Sequence, residues 1–233
     1  MFCINTFERE DRYNACMSEF AHHGMDVTFI RTNRHEIGAW GCFRAHVAAW
    51  EACLASEEEY GLIMEDDIVL TPHFVSYLEQ MRQNLHDQKG FDIIHLGGMT
   101  SFRRPCALLN LCHCRHLLAT AYLVRADFIR AELPRLRMIA NTESYFKDRS
   151  WPLHIDLYLD RAFHHTQYAT VVPLVHQRTN RSDNTWNTML PHLNLSSCIC
   201  WPTLQNSACF STFAYCCAWV LIDFPKELFS IQP

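Results

Sequence analysis

The sequence predicts an α/β domain, with a mostly parallel central sheet flanked by helices, on three observations. Short apolar runs alternate along the chain with stretches of helical periodicity, the pattern of strand–helix–strand units. The chain has 233 residues, 49% of them hydrophobic, enough to build one sizeable core. No internal repeat or low-complexity linker interrupts the alternation as far as about residue 190.

Each element has a local reason. "FCINT", residues 2–6, reads as a strand beginning almost at the first residue. "EREDRYNACMSEFAHHG" reads as a helix, with Tyr13, Met17 and Phe20 at helical spacing and Gly24 as its stop. "DVTFIRT" is a second strand. Trp40, Phe43, Val47, Trp50 and Leu54 lie on one face of the next helix. "YGLIM" is a third strand. Thr71 and Pro72 then cap a helix reaching about His86, with Pro at the first helical position. "FDIIHLGG" and "LLATAYLVR" are further strands, and "ADFIRAELPRL" is a helix that Pro134 ends or kinks. "HIDLYLDRAF" reads as a helix and "YATVVPLV" as a strand.

Composition narrows the function. A net charge of −5 lacks the basic footprint of a nucleic-acid binder. Lys occurs only at Lys89, Lys147 and Lys226, and the remaining basic residues are Arg. Arg suits bidentate phosphate recognition, although a compositional bias of the source accounts for most of them. The opening "MFCINTFERED" does not read as a signal peptide, so the expectation is a cytoplasmic chain whose 12 Cys are mostly small buried hydrophobes rather than disulfides. "CALLNLCHCRH" gathers Cys106, Cys112, His113, Cys114 and His116, but its spacing fits none of the usual zinc patterns. Residues 191–233 read as a Cys-rich extension, uncharged as far as Ile222, of a domain spanning 1–190. The extension either packs on the core, contacts a membrane surface peripherally or is poorly ordered; its apolar stretch is shorter than a bilayer span.

The unusual stretch is "YGLIMEDDIVL", where an apolar strand runs into Glu65, Asp66 and Asp67. Like charges this close repel, and burying an unpaired one is costly. In a parallel α/β sheet, ligands bind at the carboxyl ends of strands, which is where this triplet falls. In an extended segment Glu65 and Asp67 point to one side and Asp66 to the other. Two converging carboxylates form half of an octahedral site for Mg²⁺ or Mn²⁺, completed by phosphate oxygens and water.

The block "HEIGAWGCFRAHVAAWEACLASEEEYGLIMEDDIVLTPHF" resembles the signature of glycosyltransferase family 25, which includes lipooligosaccharide and collagen galactosyltransferases. The matching positions are Gly38, Gly41, Cys42, His46, Trp50 and the acidic triplet, with Ala45 where the family has Ser. Weaker matches are "INTFEREDR" (Asn5, Asp11, Arg12), "ATAYLVRADFIRAEL", "LHIDLYL" (Asp156) and "PLVHQRTNRSDN" (Pro173, Gln177, Ser182, Asp183). Together they cover about residues 2–184. The resemblance implies a GT-A-like nucleotide-sugar-binding domain. It also implies a metal-dependent, inverting transfer of a hexose, such as galactose from UDP-galactose, to a hydroxyl acceptor on a saccharide, lipooligosaccharide or protein. Glu65 and Asp67 are the expected ligands for Mn²⁺ or Mg²⁺. Asn5, Arg12, Asp66 and His46 are the expected donor-binding residues, and His176, Gln177 and Asp183 secondary or acceptor residues.

Several alternatives stay open. Asp156 is the candidate base, or else an N-cap. Arg12, more than Arg9, opens the first helix where phosphate is favoured, or else is a solvated helix charge. His46 is a site residue or a satisfied core His. Two rival functions remain: a phosphoryl-transfer domain, which lacks the strand-end Lys it needs, and a degenerate transferase kept as a binding or scaffolding module.

Overall fold

The computed structural model describes residues 1–85, 91–105, 111–147, 153–163 and 166–178. All of these fall within Met1–Pro191. The Cys-rich extension, Asp183 and the suggested membrane contact lie outside the described residues.

The elements run β1 (Phe2–Thr6), α1 (Glu10–His22), β2 (Thr28–Thr32), α2 (Gly38–Ala55), β3 (Tyr60–Glu65), β4 (Ile68–Leu70) and α3 (Phe74–Leu85). They continue as β5 (Ile93–Pro105), β6 (Leu111–Arg125), α4 (Ala126–Ala140), α5 (Ser144–Lys147), α6 (Ile155–Phe163), β7 (Gln167–Thr170) and β8 (Val175–Gln177). The eight strands form one sheet in the order β2-β1-β3-β6-β7-β5-β8-β4. β1 runs parallel to β2 and β3, and β5 runs parallel to β7 and β8. β6 threads antiparallel between these groups, pairing with β3, β5 and β7, and β4 pairs antiparallel with β8. The expected α/β class, a central sheet with flanking helices, stands.

The apolar face of α2 drives the packing on one side. Phe43 and Trp50 are fully buried, and Trp40, at the helix start, donates its indole N–H to the Ala140 carbonyl at the end of α4. Phe43 and Tyr158 of α6 meet edge to face, as do Trp50 and Phe128 of α4. Such pairs are favourable beyond the area they bury.

Three local expectations change. Pro134 does not end its helix: α4 continues to Ala140. Pro removes one helical hydrogen bond and costs about 3 kcal/mol in an isolated helix. Here Phe128, Ile129, Leu133, Leu136 and Ile139 bury one face along the whole length, and tertiary packing outweighs local propensity. The segment "YATVVPLV" is two strands rather than one. Val171 and Val172 are exposed between them, and Pro173 has no N–H to donate to a ladder. β4 was not visible in sequence: three residues leave too short a pattern to read.

One glycine holds the far edge of the sheet in place. A Cβ built on Gly97 would lie 2.2 Å from the Val175 carbonyl oxygen, a backbone atom that cannot move alone. β5 is irregular on both sides of Gly97, where it crosses to β8. Gly97→Ala is therefore expected to displace β8 and destabilise the fold by about 1–3 kcal/mol. Urea denaturation checks this; an unchanged midpoint contradicts the close approach.

Candidate active site

The parallel pairing of β1 with β3 sets the site. Ile4 is in register with Glu65, so the next residues, Asn5 and Asp66, emerge side by side at the carboxyl ends of the two strands. Asn5 donates from Nδ2 to Asp66 Oδ2 at 2.7 Å, and its Oδ1 accepts from Arg31 Nε at 3.1 Å. The strand stops at Glu65, and Asp66 and Asp67 form a turn. The alternation expected of an extended segment therefore fails here. Arg12 Nη1, from the first turn of α1, reaches both Asp66 Oδ1 at 2.8 Å and Asp67 Oδ2 at 3.3 Å. Glu65 turns instead toward His46, whose Nε2 is 3.6 Å from Oε1.

Burial and charge act on these acids together. Asp66 and Asp67 are 8% and 5% exposed. Burial raises the Asp66 carboxyl above its ordinary value, against the pull of Arg12 and Asn5. For Asp67 burial comes first and the neighbouring Glu65 second; together they push its pKa up to about 7 in spite of Arg12. Gln177 Nε2 donates to Asp67 Oδ2 at 3.0 Å, while the buried Oδ1 has no hydrogen-bond partner among the described residues. A buried acceptor without a donor costs about 1–3 kcal/mol or more. The fit to a cation is good: Asp67 offers an unmatched oxygen, Glu65 is a second, partly exposed carboxylate, and Asp66 and Asp67 share the one Arg12 guanidinium.

Linkage gives a testable consequence. The Asp67 pKa is raised from 3.8 to about 7, so the proton it binds in the folded state favours folding. That contribution is full below the unfolded pKa and is lost as pH rises through the folded one. Metal-free protein is expected to lose on the order of 3 kcal/mol from this group between about pH 4 and pH 7. Denaturation across that window checks it, since Asp67→Asn removes this component of the pH dependence.

The α2 side of the site was only partly legible. His46 is buried, and its Nδ1 lies 2.9 Å from the Tyr122 hydroxyl, which also accepts from Trp50 Nε1 at 3.0 Å. Burial drives the Tyr122 pKa well above its ordinary value, so the phenol is neutral. Cys42, one helical turn before His46, has its thiol raised by burial and then by Glu65, Asp156, Asp67 and Asp66. Sequence pointed to His46 and Glu65 but assigned no role to Tyr122 or to the Trp50 indole.

The remaining candidates separate. Asp156 lies inside the first turn of α6, and its two oxygens accept the N–H groups of Leu118 at 3.0 Å and Leu157 at 2.8 Å. It is therefore not the N-cap; it holds Leu118, whose φ of +75° is costly for a non-Gly residue. Arg9, the residue just before α1, pairs with Asp11 at 2.8 Å. Gln177 faces Asp67, whereas its neighbour His176 is exposed and pairs with Val69 across the sheet. His176 thus does not reach the acids. Arg178, which sequence did not single out, donates its backbone N–H to the Asp67 carbonyl and its Nε to the Ile68 carbonyl, fixing the turn. Of the Cys/His cluster, Cys112, His113, Cys114 and His116 belong to β6, and Cys106 lies outside the described residues; Cys112 Sγ donates to the Ala169 carbonyl, and His116 Nε2 meets the Gly97 carbonyl.

Residues 36–146 match the family described as "Glycosyltransferase family 25 (LPS biosynthesis protein)". A curated relative from Aedes aegypti, "Glycosyltransferase 25 family member", is 25% identical over 125 residues, 42% of this chain and 21% of the relative. The match thus spans about a fifth of that relative's length. Solved structures with some similarity include A197 from STIV, at 9% identity and TM-score 0.41, covering 81% of this chain and 97% of that one. Another is a glycosyltransferase involved in glycosylation of the major capsid of PBCV-1, at 11% identity and TM-score 0.36, covering 72% and 92%. A third is a mutant Drosophila beta-1,4-galactosyltransferase 7 in complex with manganese, UDP-Gal and xylobiose, at 10% identity and TM-score 0.43, covering 83% and 76%. These three scores are too low to carry functional weight. Among the described residues no helix is long and apolar enough to cross a membrane. The resemblance read from the sequence to glycosyltransferase family 25 is borne out over residues 36–146.

Proposed function

From the family 25 glycosyltransferase segment at residues 36–146, we infer that this chain is a metal-dependent glycosyltransferase of GT-A-like architecture. It moves a hexose, galactose in the simplest reading, from a nucleotide-sugar to a hydroxyl acceptor with inversion. The observation that carries the reading is the Asp67 carboxylate: in the turn that ends β3, its pKa raised by burial and then by Glu65, and with one oxygen unmatched among the described residues. The residues that would hold Mn²⁺ or Mg²⁺ are Asp67 and Glu65. When bound, such an ion neutralises the diphosphate leaving group as a Lewis acid.

The chain's own residues supply the rest. Arg12 and Asn5 hold Asp66, and Arg12 and Gln177 hold Asp67, so the turn is rigid before substrate arrives. His46 Nε2 lies 3.6 Å from Glu65 Oε1, beside the carboxylate. Asp156, on α6, is the base proposed to take the acceptor hydroxyl's proton, from a position fixed by its bonds to Leu118 and Leu157. Inversion requires that base on the face of the sugar opposite the leaving group.

The test is release of UDP from a panel of UDP-sugars in the presence of Mn²⁺. The wild type is expected to release UDP slowly from one of them, and Asp156→Asn to suppress transfer to an added acceptor. No release from any donor, together with no metal-dependent UDP binding, would instead identify a degenerate binding module, in keeping with Ala45 replacing the family's Ser.

A further inference from the structure

A thiol, an imidazole and a carboxylate meet beside the Asp67–Arg12 network. Each of Cys42, His46 and Glu65 offers one ligand atom, and the three atoms lie within 4.8 Å of one another. We propose that Cys42, His46 and Glu65 form a binding site for a thiophilic dication of the zinc class, beside the ion expected on Asp67, with the Glu65 carboxylate common to both. This goes beyond the transferase reading and is tested without the donor.

Four observations support it. First, the donor set is wrong for Mg²⁺ and right for zinc: hard cations take oxygen ligands, whereas thiolate and imidazole select Zn²⁺. Second, His46 Nε2 is 3.6 Å from Glu65 Oε1. Two ligands bound to one tetrahedral ion at about 2.0–2.1 Å stand roughly 3.4 Å apart, so this pair is already spaced to share one. Third, His46 is only 1% exposed, and its Nε2 has no hydrogen-bond partner among the described residues. A buried nitrogen left unmatched is costly, and an ion would satisfy it. Fourth, Tyr122 Oη at 2.9 Å from Nδ1 can accept the N–H that a metal-bound imidazole carries on its other nitrogen. The Glu65 side chain is 25% exposed, so the site opens to solvent on its side, and three protein ligands leave the fourth position of a zinc ion for water. Binding breaks the Cys42 S–H bond: its proton goes to solvent as the metal–sulfur bond forms.

The experiment is a Co²⁺ titration of the full chain without nucleotide, read by absorbance, followed by displacement with Zn²⁺. Wild type is expected to bind one equivalent with a thiolate-to-cobalt charge-transfer band that Zn²⁺ abolishes. Cys42→Ser should lose the band, and Tyr122→Phe should weaken Co²⁺ binding by about 10–100-fold. Asp67→Asn should keep the band. His46→Gln, checked by circular dichroism, should weaken binding even if Cys42→Ser fails to fold. The proposal is overturned if wild type shows no band, if the band persists unchanged in folded Cys42→Ser or His46→Gln, or if it disappears in Asp67→Asn. The last result would mean a single ion shared with the donor. Because no nucleotide is present, failure here leaves the UDP-release test untouched, and the reverse holds as well.

Discussion

Asp67→Asn is expected to reduce UDP release by at least about 100-fold, the scale of losing one strong electrostatic stabiliser of a leaving group. The expected loss is functional rather than structural. The amide oxygen can still accept from Arg12 and Gln177, which in the native chain both reach Oδ2. Its NH₂ takes the place of the unmatched Oδ1 and lies close to the Glu65 charge that raises the native pKa. Removing that like-charge contact should leave the variant at least as stable as wild type above neutral pH. A folded, stable and inactive Asp67→Asn is the predicted outcome. A variant with near-native release would remove Asp67 from the site. Rates against a responsive UDP-sugar, paired with thermal melts, separate the two.

Arg12→Met is expected to cause the largest loss of stability, about 3–5 kcal/mol, because it strands buried carboxylates. Arg12 is 8% exposed and is the guanidinium in contact with both Asp66 and Asp67. Asn5 and Gln177 would remain as neutral donors, too weak to replace a charge. Combining Arg12→Met with Asp67→Asn should recover part of the loss, since contacting residues couple. Additive losses in the double variant, measured by urea denaturation, would show that Arg12 acts through packing of its stem rather than through charge.

Much of this site was legible in the sequence because its parts lie at strand ends and on one helix face. Asn5, Glu65, Asp66 and Asp67 follow short apolar runs, so a parallel sheet brings them together. Arg12 was found because α1 begins directly after β1. The fold class followed from the same alternation. What stayed hidden depends on tertiary pairing. Tyr122 meets His46 and Trp50 because β6 runs antiparallel beside β3, which no local pattern states. Gln177 was named from the family resemblance, but its contact with Asp67, and that of Arg178, depends on the short β4 and β8 pairing at the sheet edge. The turn at Asp66 was misread as extended chain because a strand's last residue has no marker when the apolar pattern resumes at once with Ile68. Asp156 was seen as a cap or a base; its bond to Leu118 depends on an unusual backbone conformation that sequence does not advertise.

The central claim is that the buried acids tolerate one another because a dication links them to a nucleotide diphosphate. Calorimetric titration of UDP into the full chain, with and without Mn²⁺, tests it most directly. The account predicts binding that requires Mn²⁺ in the wild type and that Asp67→Asn abolishes. Equal UDP affinity in the presence and absence of the ion, unchanged by Asp67→Asn, would contradict it.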